Sequence, residues 1–95
     1  MTDDSYDGPA TLRVADRDYA VRIRIAGRVE PIDGRFHWAG RIAPEEPVAG
    51  LVRAGTRTGT LAVPGGQPAP ARLGEVDPWG GVRVTGVGRP PWSAP

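Results

Sequence analysis

Asp33, Arg35, His37 and Arg41 fall within the segment Pro31-Ile-Asp-Gly-Arg-Phe-His-Trp-Ala-Gly-Arg41. Alternate residues of a strand share a face, so Arg35, His37 and Arg41 would project together, with Asp33 just ahead of them. His37 is the single histidine of the chain, and a histidine near neutral pH suits general acid or base work. Arginines hold carboxylates and phosphates through paired hydrogen bonds. Asp33 and His37 are therefore the catalytic candidates. Arg35, His37, Trp38, Arg41 and Trp79 are the ligand-binding ones. The plainer alternative is a solvated strand face carrying a structural histidine.

The tryptophans divide by context. Trp38 lies on the opposite face from His37 and is expected to fill the core, with stacking on an aromatic ligand as the sharper reading. Trp79, in the turn Asp77-Pro-Trp-Gly-Gly81, either caps one end of the sheet or forms the mouth of a ligand cavity. Trp92 either lies back on the domain or serves a partner as a docking element.

Several chemistries are excluded or disfavoured. The chain has no cysteine and no lysine, which removes thiolate metal sites, Schiff bases and the phosphate loop ending in Gly-Lys. Its serines, Ser5 and Ser93, sit near the two ends, so a serine-histidine-carboxylate triad is not expected. Glu45 and Glu46 flank prolines and read as solvated. Gly86-Val-Gly88 precedes prolines where a nucleotide site needs a helix. No cofactor and no metal are implied. Twelve arginines against eleven carboxylates give a net charge of +1. With both signs interspersed, neither a basic nucleic-acid surface nor an aromatic single-strand platform is expected.

The elements that must position these residues read as β throughout. Ninety-five residues make one domain, 1–95, with 1–7 and 90–95 expected as flexible or extended ends. Fourteen glycines and eleven prolines interrupt every helix-length window. The short alternating runs between them predict six to seven short strands in a small antiparallel barrel or sandwich. In Tyr19–Ala26, Tyr19, Val21, Ile23 and Ile25 share one face and Arg22 and Arg24 the other. Ile32-Asp-Gly34 predicts a tight turn with Gly34 at positive φ. Residues 35–42 then form a strand with Phe36, Trp38 and Ile42 inward and Arg35, His37, Ala39 and Arg41 outward, 43–47 a loop, and 50–54 and 58–63 two further strands. Residues 9–28 align without gaps to 70–89, from Pro9 and Leu12 against Pro70 and Leu73 to Gly27 and Arg28 against Gly88 and Arg89. That match suggests first and last hairpins that are pseudo-symmetric neighbours closing a barrel or sandwich. The acidic start is unlike a signal peptide and no stretch approaches a membrane span, so no membrane and a cytoplasmic location are expected. An exposed sheet edge would allow a homodimer.

The segment 31–41, together with Asp77-Pro-Trp-Gly-Gly-Val-Arg-Val-Thr-Gly-Val-Gly-Arg-Pro-Pro91 and Gly8-Pro-Ala, resembles an actinobacterial small domain family of unknown function over residues 6 to 92. Members of that family occur alone and as a C-terminal extension of flavin-dependent monooxygenases. Its pattern carries Tyr where Phe36 and Ala39 stand, and Phe where Trp92 stands. The resemblance implies company with oxidative small-molecule metabolism, and as partner a flavin-dependent monooxygenase or its small-molecule substrate. Two functions follow as expectations. One is an accessory or small-ligand-binding β-domain. The other is a small stand-alone β-barrel isomerase or cyclase that moves a proton with His37 or Asp33.

Overall fold

The computed structural model describes residues 4–92. The chain forms β1 (Asp4–Val14), β2 (Arg17–Val29), β3 (Phe36–Ile42), α1 (Glu46–Arg53), β4 (Thr58–Ala62), β5 (Ala69–Val76) and β6 (Val82–Val87). The strands lie in the order β1-β2-β3-β6-β5-β4, and Thr11–Arg13 of β1 pair with Thr60–Ala62 of β4 to close the barrel. All neighbouring strands are antiparallel. Of the expected antiparallel barrel or sandwich, the barrel is the fold, with six strands and one helix added.

Period-two patterning explains the strands. Val21, Ile23 and Ile25 of β2 are buried while Arg22, Arg24 and Ala26 between them are exposed. Leu12, Ile42, Leu61, Leu73 and Val84 are also buried, and one hydrophobic cluster fills the barrel. Burial of such side chains is worth about 1.5–3 kcal/mol each before entropy is charged against it. β1 starts at Asp4, so residues 4–7, expected within a flexible or extended end, are part of a strand. Gly34 does adopt positive φ, at 69°.

Between β1 and β2 only Ala15 and Asp16 remain unpaired, because Val14 pairs with Arg17. Both have positive φ, 48° and 69°. A two-residue hairpin loop of this kind is a type I′ turn, for which Asn-Gly is far better suited. The double substitution Ala15→Asn, Asp16→Gly is expected to stabilise the domain by about 1 kcal/mol, a rise of roughly 4–8 °C in melting temperature. A calorimetric scan showing no rise would mean that the turn is relaxed as it stands.

Residues 50–54, expected as a strand, belong mostly to α1, and the expected loop 43–47 ends inside it. Proline explains the difference. Pro47 occupies the first turn of α1, where its fixed φ suits a helix and its missing N–H costs nothing. Glu46 in the first turn and Arg53 in the last complement the helix dipole, and Val48, Ala49 and Val52 are buried. The helix packs against β5 and β6.

The aligned hairpins are not equivalent in space. β3 separates β2 from β6, and β4 separates β1 from β5. Leu12 pairs with Tyr19, whereas its counterpart Leu73 pairs with Val84 and not with Gly80. A bulge between Leu73 and Val76 shifts the second hairpin further. The shared letters record a shared in-out alternation, not a symmetry of the barrel.

The end of the described chain lies back on the domain. Pro90, Pro91 and Trp92 are buried. Trp92 meets Phe36 and Trp38 edge-on, each with ring centroids 6.3 Å apart. Gln67 holds the segment, its backbone N–H donating to Pro91 O at 3.1 Å and its side-chain amide to Pro90 O. Of the two expectations for Trp92, packing on the domain is the one observed. Closure also consumes most sheet edge. On β1 the stretch before Thr11 pairs with β2 alone among the described residues. That stretch carries Pro9, whose carbonyl accepts the Tyr6 hydroxyl at 2.6 Å, and both features blunt an edge.

Candidate functional site

Strand register sets the site. Across β2, β3 and β6, three rows of outward side chains lie abreast: Arg28, His37 and Val87; then Ala26, Ala39 and Thr85; then Arg24, Arg41 and Arg83. The middle row is short and its neighbours are long, so the barrel wall sinks into a furrow of about 550 Å³. Ala26, Ala39, Gly27 and Gly86 give it an apolar floor. Arg28, Glu30 and His37 stand at one end, and Thr85 and Arg72 of β5 at the other. Arg28 and Glu30 pair at 3.1 Å.

Trp38 fixes the floor from inside. It pairs with Gly27 on one side and Gly86 on the other, and is 2% exposed. A Cβ on Gly86 would collide with its indole ring, so the missing side chain at 86 is what lets the ring lie there. The indole Nε1 is buried without a hydrogen-bond partner among the described residues. Such a donor costs about 1–3 kcal/mol. Core filling is thus what Trp38 does, and the furrow lies over it.

His37 and Asp33 do come together, through a turn. The Arg35 backbone N–H donates to Asp33 Oδ1 at 2.9 Å, and Asp33 Oδ2 lies 2.8 Å from His37 Nε2. The Arg35 amide, and after it the His37 ring, hold the Asp33 carboxyl below its ordinary value. An ionised Asp33 accepts only, so the proton between them sits on Nε2, and whenever the ring is neutral its lone pair is on Nδ1. Both side chains remain partly exposed. Arg35 precedes β3 instead of lying on it, is exposed, and contributes its backbone N–H to the site.

Arg41 and Trp79 belong to a second locus. The Arg41 guanidinium embraces Asp77 through Nε and, at 3.2 Å, through Nη2. Asp77 Oδ1 also accepts the backbone N–H of Trp79 at 3.0 Å and of Gly81 at 2.9 Å. Trp79 is 78% exposed at the tip of that turn, so it caps nothing and does not line the furrow. The Arg41 guanidinium, then the Gly81 and Trp79 amides, lower the Asp77 carboxyl to about 2 against partial burial. A folded-state value below the ordinary 3.8 means stability gained above that range and lost as pH falls through it. Asp77→Asn should therefore lower the melting temperature at neutral pH, and the gap from the parent should close between about pH 4 and pH 2. Thermal melts across that range test it; a gap independent of pH would assign the turn to hydrogen bonding alone.

Of the residues expected at the site, His37 and Trp38 line the furrow and Asp33 reaches it only through His37, while Arg35, Arg41 and Trp79 do not line it. Ala26, Arg28, Arg72 and Thr85 line it without having been expected. Ala39 was placed on the His37 face, but its partners come from β2 and β6, and only register reveals them. Among the described residues no cluster of three or more His, Cys, Asp or Glu could hold a metal ion, and no helix is long and apolar enough to cross a membrane.

Comparison with known proteins places relatives beside this geometry. Residues 3–94 match a family described as Domain of unknown function (DUF4873). An uncharacterized protein of Mycobacterium tuberculosis, Rv0943c, is 45% identical over 91 residues, 96% of this chain and 25% of that protein. The uncharacterized protein Mb0968c of Mycobacterium bovis matches with the same identity and coverage. The chain thus spans about a quarter of the length of these relatives. No solved structure matches.

Proposed function

The chain belongs to this family of unknown function, and we propose that it is an accessory β-domain that binds a small molecule in the furrow, in the service of flavin-monooxygenase-type metabolism. One observation carries the binding: a concavity of about 550 Å³ floored by methyl groups and glycine backbone, with charged groups confined to its ends. That size and that lining suit a flat, largely apolar molecule. The accessory role is supported by relatives in which the matching segment is a quarter of the protein. The link to flavin-dependent monooxygenases rests on the resemblance of segments 31–41 and 77–91.

Titration of the isotope-labelled chain with 2-naphthylmethanol, read by amide NMR, tests the binding. Shifts clustered at Ala26, Ala39 and residues 85–87 are expected, and a flat titration at millimolar probe would contradict the reading. Co-purification of the chain with a flavin-dependent monooxygenase, or of its substrates with the chain, tests the setting; neither would remove it.

The contact between Asp33 and His37 favours a second reading, proton transfer on the same ligand. His37 lines the furrow, its Nε2–H is held by Asp33, and a neutral ring then has Nδ1 available as a base. In an isomerase or cyclase of this kind, His37→Ala and Asp33→Asn would each abolish turnover while the domain stays folded. Unchanged turnover in both variants would end that reading.

A further inference from the structure

Five arginines of the barrel and helix, Arg13, Arg24, Arg28, Arg41 and Arg53, each pair with a carboxylate. Arg72 and Arg83, like Arg17 and Arg22 of β2, do not. Among the described residues neither Arg72 nor Arg83 comes within 4.0 Å of one. They stand on the outer face of β5 and β6, beside Arg57, Thr58 and Thr85, around a concavity of about 410 Å³ that includes Gly74. Arg57 is held in place there, its Nη1 donating to Val52 O and Thr56 O at 3.0 Å each. Thr58, Arg72 and Thr85 lie directly abreast on β4, β5 and β6.

Like charges on neighbouring strand positions repel. Three guanidinium groups and two hydroxyls around one concavity, with no carboxylate in its lining, supply donors for an anion. Two of these residues, Arg72 and Thr85, also close the end of the furrow. The apolar floor and the cationic corner are therefore one continuous surface. A molecule lying over Ala26 and Ala39 would bring its far end to Arg72 and Arg83. At the opposite end Glu30 already occupies Arg28.

We infer that the ligand of the furrow is an amphipathic anion, a flat apolar body carrying a carboxylate or a phosphate at one end. This rests on the ligand-binding reading above and sharpens it. Arg72 and Arg83 seat the anionic group, Thr58 and Thr85 add hydroxyl donors, and the floor takes the apolar body. Both carboxylates and phosphate esters are charged at neutral pH and meet the same guanidinium geometry.

Three probes sharing one ring system separate the contributions: 2-naphthylmethanol, 2-naphthoate and 2-naphthyl phosphate, titrated by NMR and calorimetry. At least one anion should bind on the order of tenfold tighter than the alcohol, and the advantage should shrink as salt is raised. The double variant Arg72→Gln, Arg83→Gln should lose that advantage, so that the anions bind it no tighter than the alcohol does. Both side chains are exposed, so its melting temperature should match the parent's. The better anion identifies the group as a carboxylate or a phosphate. Equal binding of all three probes, or an advantage that survives in the double variant, overturns the inference. If the alcohol binds without an anion preference, the ligand-binding reading stands and this inference falls. If no probe shifts the furrow amides, both fall.

Discussion

Trp92→Ala is expected to destabilise the domain by about 3–5 kcal/mol, on the order of 20 °C in melting temperature. Trp92 lies beyond the last strand, yet it is only 6% exposed. Its ring meets Phe36 and Trp38 edge-on, a geometry that adds to the area term. The two prolines before it are buried, and Gln67 bonds their carbonyls from the β4–β5 loop. Truncation would therefore leave a hole beside Trp38 that two independent segments hold open. A chain of this size has about 5–15 kcal/mol in all, so the loss takes a large share of it. Trp92→Phe, which keeps a ring, should cost less than half as much. Thermal and urea melts read both, and a shift of only a few degrees for the alanine variant would mean that the tail is not part of the core.

Gly86→Ala is the second large effect, expected to cost about 1–3 kcal/mol and more if the wall cannot yield. A Cβ at position 86 would run into the Trp38 ring. The ring has little room to withdraw, because Trp92 backs onto it. The cost should therefore depend on what stands at 38. In a double-mutant cycle with Trp38→Leu, the two substitutions should couple by about 0.5–3 kcal/mol, the alanine being tolerated better over the smaller side chain. Additive effects would show that Gly86 serves the backbone and not the ring. The same substitution reaches the furrow, since Gly86 also lines it.

How far the sequence carried can be judged from particular residues. The β2 face, the inward Trp38, the turn glycine at 34 and the shared face of His37, Ala39 and Arg41 were legible, because alternation along a strand is a local property. The helix was not, since Pro47 and Gly55 read as breakers when the first is a helix starter and the second, at φ 113°, follows the helix end. The pairing of Arg41 with Asp77 and the meeting of Ala26, Ala39, Thr85 and Arg72 were not legible either. Each depends on which strands neighbour and in what register, and a two-residue change of register replaces every partner. The 9–28 and 70–89 match pointed towards equivalence and misled for that reason: alternation was repeated, register was not. The depth of the furrow follows from the short side chains of Ala26 and Ala39 in its floor.

Ala39 is accordingly the position at which a bulky side chain would fill the furrow. It is outward and half-buried, so Ala39→Trp should fold, and its ring would lie along the furrow floor between Ala26 and Thr85. Titration of that variant with the naphthyl probes, under the conditions used for the parent, is the most direct measurement. Binding of every probe should be lost while the melting temperature stays close to the parent's. Undiminished binding in a stably folded Ala39→Trp domain would contradict binding in the furrow, because the ligand would then lie somewhere else on the barrel.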